Sequence, residues 1–202
     1  VNRYALTFPV RPGSEAAVAE ILGGYAGPPP GRPQAARPLL DRTSVFMVGP
    51  VVVRVVDITC PPGEAIRHLA AQPQIQAVEQ RLRPHLVQDR DLSDPDGRRR
   101  FLAGSVMRLV ASRNGHPGHL PRAAVLYRAL PGRADEVARL LASGGSESDC
   151  GTTVFRRRDT VVHLVESTDR TPVVPLVNGL APLVREACPM TLVTDRVVGA
   201  VA

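Results

Sequence analysis

Arg54 occupies the middle of Val51–Ile58, VVVRVVDI, where every neighbour except Asp57 is apolar. A guanidinium in that setting either pairs with a carboxylate or faces a pocket, where it can stabilise negative charge developing on an enolate oxygen. His163 stands at the equivalent point of TVVHLVE, 109 residues later. His68, in IRHLAAQP beside the apolar stripe of a helix, offers a neutral imidazole able to take a proton near pH 7. Arg54, His68 and His163 are therefore the candidate catalytic residues. Tyr4 and Thr7 on the first strand, Gln72 at a helix end, and His85 are the candidate substrate contacts. Each histidine can equally be a surface or hydrogen-bonded core residue.

Other chemistries have no carrier in the sequence. Cys60, Cys150 and Cys188 are odd in number, with no CxxC pair and no histidine at ligand spacing, so neither a disulfide frame nor a metal site is expected. Glycine-rich phosphate loops, GxSxG and HExxH are absent. No apolar run approaches a membrane span and the first residues carry no signal-peptide core, which points to a cytoplasmic protein.

The elements that must position the candidates are written twice. Ser44 to Ile58 aligns without a gap on Thr153 to Ser167, keeping Val45/Val154, Phe46/Phe155, Val52/Val161, Val53/Val162 and Val56/Val165. Arg3–Leu22 returns as Arg122–Leu141 at an offset of 119, and Ser105–Arg113 returns as Cys188–Arg196 at an offset of 83. Within each copy, alternation marks strands and 3.6-residue spacing marks helices. Tyr4, Leu6, Phe8 and Val10 share one strand face. Val18, Ile21, Leu22 and Tyr25 share one helix face, with Ser14 as its cap. Ser44–Ile58 splits at Gly49-Pro50 into a hairpin, whose second strand is apolar on both faces and should be covered on both. A helix from Pro62 to Gln72, with Ala65, Ile66 and Leu69 inward, gives way at Pro73 to a second helical piece from Gln74 to Leu86. Gln88–Arg100 reads as a polar run.

The result is strand, helix, strand, strand, helix, strand, twice over: an α+β chain of tandem duplicated ferredoxin-like modules, in the manner of a dimeric α/β barrel, with antiparallel sheets packed face to face. The modules run over residues 1–113 and 122–202, joined by a linker at 114–121, NGHPGHLP. The first copy is longer. It carries a proline-rich stretch, Ala26–Arg42, able to serve as connector or lid, and a helical insert after its hairpin, so it is the expected home of a pocket. With two modules already in one chain, either a monomer or a homodimer is compatible with the pattern.

All 25 basic residues are arginines and the formal charge is +6. Much of that reflects a coding bias, visible also in the abundance of Ala, Val, Gly and Pro. The runs Arg98-Arg99-Arg100 and Arg156-Arg157-Arg158 read as solvated faces. RNA-recognition modules share the βαββαβ order but need aromatics on their central strands, and VVVRVVD has none, so nucleic acid is not an expected partner.

The phrases RYALTFPVRPG, TSVFMVGPVVVRVVDI, IRHLAAQPQIQAVEQRL, QDRDLSDP and MTLVTDR resemble the SchA/CurD-like family of actinomycete aromatic polyketide proteins of the spore-pigment type, across nearly the whole chain. That family is similar in fold to antibiotic-biosynthesis monooxygenases and to small polyketide cyclases. The resemblance implies a substrate that is a multi-ring aromatic polyketide. It implies a quinone-forming oxygenation by dioxygen without flavin or metal, or ring closure, or a non-catalytic role beside a polyketide synthase, where an acidic acyl carrier protein would suit the arginine surface. An oxygenation of this kind needs a base, a cation near the enolate oxygen and a dry pocket; His68 or His163 would be the base and Arg54 the cation. The chain has no Trp, so no tryptophan role carries over from the anthrone-type oxygenases.

Overall fold

The computed structural model describes residues 2–24, 40–88, 94–113, 119–144, 151–168 and 178–197, apart from the side chains of residues 62, 66 and 69. Most of the proline-rich stretch, the middle of the polar run and most of the linker lie outside them, as do Tyr25 and Cys150. The chain forms two compact units, Val1–Val106 with Val193–Ala202, and Met107–Leu192.

Unit 1 begins with β1 (Asn2–Pro9), α1 (Glu15–Gly23) and the hairpin β2 (Leu40–Val48) and β3 (Val51–Ile58). Gly49 allows the hairpin turn because its φ is +49°, a conformation that costs a residue with a Cβ. β3 is antiparallel to both β1 and β2 and is buried on both faces, as its valines on both faces require. After it come α2 (Pro62–Ala70), α3 (Pro73–Leu82) and α4 (Pro95–Ser105). Ala65 is buried, while the expected inward turn of Ile66 and Leu69 falls on side chains outside the description. Phe8, Val10, Val18, Ile21, Leu22, Val45, Met47, Val52, Leu82 and Leu86 form the core between the sheet and its helices.

Unit 2 contains β4 (Val106–Arg113) from Met107 on, then β5 (Arg122–Ala129), α5 (Ala134–Ser143), and the hairpin β6 (Gly151–Arg157) and β7 (Thr160–Glu166). β8 (Val184–Pro189) adds to β5. α5 covers Val125, Tyr127, Val154 and Val161 with Val137, Ala138 and Leu141.

Three sequence expectations are revised. Arg98–Arg100 belongs to α4, which the polar run concealed; Asp94 starts that helix by accepting from Gly97 N at 2.6 Å and Asp96 N at 3.3 Å, with Pro95 in the first turn. Cys188–Arg196 is not one strand: β8 ends at Pro189, and β9 (Thr191–Val197) follows Met190. The last strand of each copy also joins the other copy's hairpin. β9 lies beside β2, with the strand order β1-β3-β2-β9, and β4 pairs with β6. β4 from Met107 on thus belongs to unit 2, and β9 from Val193 on to unit 1.

Two ion pairs fix the central register. Arg3 lies opposite Asp57 and donates Nε to Oδ1 at 2.7 Å and Nη2 to Oδ2 at 3.1 Å; Arg122 lies opposite Glu166 and donates Nε to Oε1 at 2.9 Å. The second pair is nearly sealed, with side chains 1% and 8% exposed. Deleting one partner strands a charge out of water. Glu166→Ala is expected to lower stability by about 3–5 kcal/mol in urea denaturation, whereas Arg99→Ala, in a pair exposed at 81% and 73%, should change it by less than about 0.5 kcal/mol. Equal losses would show that burial is not what gives the Arg122–Glu166 pair its weight.

Candidate functional site

Strand alternation and the β1/β3/β2 register put Tyr4, Leu6 and Phe8 on the same face as Val52, Arg54, Val56 and Val45. That face forms the floor of a cavity of about 130 Å³ within unit 1. Ala65 and Ala70 of α2, Ile75 and Glu79 of α3, and Arg98, Phe101 and Leu102 of α4 complete the walls. Phe101 meets Phe8 edge to face, ring centres 6.1 Å apart, which ties α4 to β1.

Three charged side chains enter this apolar space. Arg54 sits in the row Leu6–Arg54–Val45, half-buried, and its Nε donates to Thr43 Oγ1 at 3.1 Å. Glu79 lies on the buried stripe of α3 between Ile75 and Leu82, at i+4 and i+7 from Ile75. Arg98 points inward with Phe101 and Leu102 at i+3 and i+4, because the Asp94 cap sets the phase of α4; Arg99 and Arg100 then face solvent. Only one arginine of that run lines the cavity, and the other two form the solvated face expected of all three. Two cations and one carboxylate in apolar walls can hold an aromatic molecule and act on an acidic proton beside an oxygen.

Of the sequence candidates, Arg54 and Tyr4 meet at this cavity. Thr7 does not line it, since alternation turns it to the opposite face of β1 with Ala5. Gln72 is half-buried at the start of α3 and stands outside the lining. His85 holds a corner of the fold: its Nδ1 lies 3.1 Å from Ser14 Oγ and its carbonyl accepts from Arg11 N at 2.8 Å. Ser14 therefore meets His85 and makes no side-chain cap bond to α1. His68 is exposed on α2 and does not line the cavity, because Ala65 and Ala70 occupy the inward positions there. Glu79 and Arg98 escaped the sequence reading; a charge on the apolar stripe of an amphipathic helix was the signal available for Glu79. Among the described residues no three His, Cys, Asp or Glu side chains converge as metal ligands, and no helix is long and apolar enough to cross a membrane.

His163 belongs to unit 2, in the row Val125–His163–Val154. Its Nε2 is 2.6 Å from Thr152 Oγ1, and Nδ1 has no partner among the described residues. Burial pushes the imidazole down from its ordinary 6.5 to about 4, so it is neutral at pH 7 and a weak base. Well above pH 6.5 neither folded nor unfolded protein carries this proton. As pH falls from 6.5 to about 4 the unfolded chain takes it up first, and about 3 kcal/mol of stability is lost before the effect levels off. His163→Gln, which keeps a hydrogen-bonding group for Thr152, should lack this part of the pH dependence in urea denaturation; matching profiles would show that His163 titrates normally.

The first 114 residues match the SchA/CurD like domain model. The chain is 43% identical over 176 residues to Polyketide synthase CurD of Streptomyces cyaneus, covering 82% of this chain and 47% of the relative. It is 40% identical over 177 residues to Protein SchA of Streptomyces halstedii, covering 83% and 46%. It thus spans about half the length of the curated relatives it matches. Among solved structures, an anthrone oxidase-like protein aligns with a TM-score of 0.46 at 8% identity, over 98% of this chain and 93% of its own; a likeness that distant carries no inference about activity. Every residue that lines the cavity falls within the matched segment, and the chain belongs to the SchA/CurD-like domain family.

Proposed function

We propose that the unit 1 cavity is the active site of an aromatic polyketide tailoring enzyme, a cofactor-independent monooxygenase that converts a methylene of a multi-ring polyphenol into a quinone carbonyl. The observation that carries this reading is the entry of Arg54, Arg98 and Glu79 into otherwise apolar walls. Membership of a family whose relatives include a protein named Polyketide synthase CurD supports the substrate class.

Glu79 takes a proton from the methylene, and Arg54 and Arg98 stabilise the oxygen on which the resulting charge settles. The carbanion gives its electrons to dioxygen as the C–O bond forms. The peroxide then loses water, with cleavage of the O–O bond and the second C–H bond. One methylene and one dioxygen become one carbonyl and one water. Apolar walls keep bulk water from protonating the carbanion. Tyr4 contacts the bound rings.

The two copies of the pattern descend from one duplicated ferredoxin-like module. The shared register of Leu6–Arg54–Val45 and Val125–His163–Val154 supports this, and so do the Arg–carboxylate pairs at matching positions. The longer copy retained the charged site.

Purified protein incubated with an anthrone in air, without added cofactor, is expected to consume oxygen and yield a product with one more oxygen and two fewer hydrogens. Arg54→Leu and Glu79→Gln should each reduce kcat/KM by about 100-fold or more, and Arg99→Ala should not. Absence of oxygen uptake with an unchanged product mass rules the reading out. With a polyketide intermediate that still has an open chain as substrate, loss of one water without oxygen uptake assigns ring closure to the cavity instead.

A further inference from the structure

We propose that Thr43 is the positioning residue for Arg54, holding its guanidinium in the orientation the cavity uses. This rests on the reading of that cavity as the active site.

Arg54 is flanked across the sheet by Leu6 and Val45, neither of which can accept a hydrogen bond. Its side chain is long and loses rotamer freedom when held in one geometry, so a defined orientation needs a fixed partner. Thr43 is two residues along β2 from Val45, at the diagonal distance that a long cross-strand side chain can reach. It is 5% exposed, and its Oγ1 accepts from Arg54 Nε at 3.1 Å. A bond at Nε, close to the stem, limits rotation of the whole guanidinium plane and leaves the terminal nitrogens at the distal end of the group.

The same relation recurs in unit 2. Thr152 is 109 residues from Thr43, His163 is 109 residues from Arg54, and their side chains meet at 2.6 Å. The polar partner changed between the copies while the threonine stayed. A hydroxyl is suited to both, because it accepts from a guanidinium and can donate to or accept from an imidazole. Valine, of nearly the same shape, can do neither.

The test compares Thr43→Val with Thr43→Ser. Hydrogen exchange of the Arg54 Nε–H, followed by NMR and assigned through its loss in Arg54→Leu, reports the contact without needing a substrate. Slow exchange is expected in the parent and in Thr43→Ser, and exchange at least about tenfold faster in Thr43→Val. Fast exchange in the parent, or equal rates in the two variants, overturns the assignment. With an anthrone as substrate, Thr43→Val should lower kcat by about tenfold or more with KM within about threefold, and Thr43→Ser should restore most of the rate. If exchange behaves as expected and no protein turns over anthrone, the proposed reaction fails and the positioning contact stands.

Discussion

The Arg3–Asp57 and Arg122–Glu166 pairs are the interactions on which the rest of each unit depends. Each joins residues directly opposite one another on two adjacent strands of its unit. A slip of one residue would turn every side chain to the other face, moving Arg54 out of the cavity and the valines of β3 into the wrong layer. A sheet made of near-continuous valine gives little penalty for such a slip from hydrophobicity alone, because both faces of β3 are apolar. A charge that must meet its counter-charge at one position supplies what the valines cannot. This use of buried ion pairs concerns specificity more than net stability, since desolvation offsets much of their attraction.

With register held, the position of Arg54 has a physical consequence. A guanidinium in an apolar row cannot be covered by close-packed aliphatic side chains without a large desolvation cost. The roof above it is accordingly mixed, with Glu79 and Arg98 arriving from two helices and Phe101, Leu102 and Ile75 supplying the apolar remainder. In unit 2 the equivalent strand position carries His163, which can shed its charge, and burial holds it neutral. There α5, Leu180 and Leu183 close over the same sheet face with aliphatic packing. The position that carries a permanent charge thus lines a cavity in unit 1, and the position that carries a neutral imidazole lies beside an aliphatic cluster in unit 2.

The strands and their faces were legible in the sequence because period-two alternation is local. Tyr4, Leu6 and Phe8 fall together for that reason, as does the Gly49-Pro50 hairpin. α4 was hidden because PDGRRRFLAGS contains two glycines, which lower its helix propensity, and its existence depends on the Asp94 cap and on Phe101 packing against Phe8. The site inherited that blindness, since Arg98 lies on α4 and Glu79 lies in the insert for which the second copy offers no counterpart. His68 drew attention through its chemistry, but only the rotation of α2 decides that Ala65 and Ala70, and not His68, face inward.

The exchange of the last strands has a different origin. β4 and β9 carry the same pattern, with Met107/Met190, Leu109/Leu192 and Arg113/Arg196 in register, so local propensity fits either hairpin equally. The discriminating contacts are polar. In β9, Asp195 accepts from Arg42 Nε and from Ser44 Oγ, each at 2.8 Å, and Arg42 is almost fully buried. In β4 the corresponding residue is Ser112, whose hydroxyl lies 3.4 Å from Thr153 Oγ1 on β6. The residue of β6 that matches Arg42 is Gly151, so Asp195 placed beside β6 would have no cation, and Arg42 beside β4 would have Ser112 in place of a carboxylate. One uncompensated buried charge costs several kcal/mol, on the order of the whole margin by which a domain is folded. A cation on β2 and a carboxylate on β9, neither matched in β6 and β4, are therefore sufficient to assign β9 to the β2–β3 hairpin and β4 to the β6–β7 hairpin.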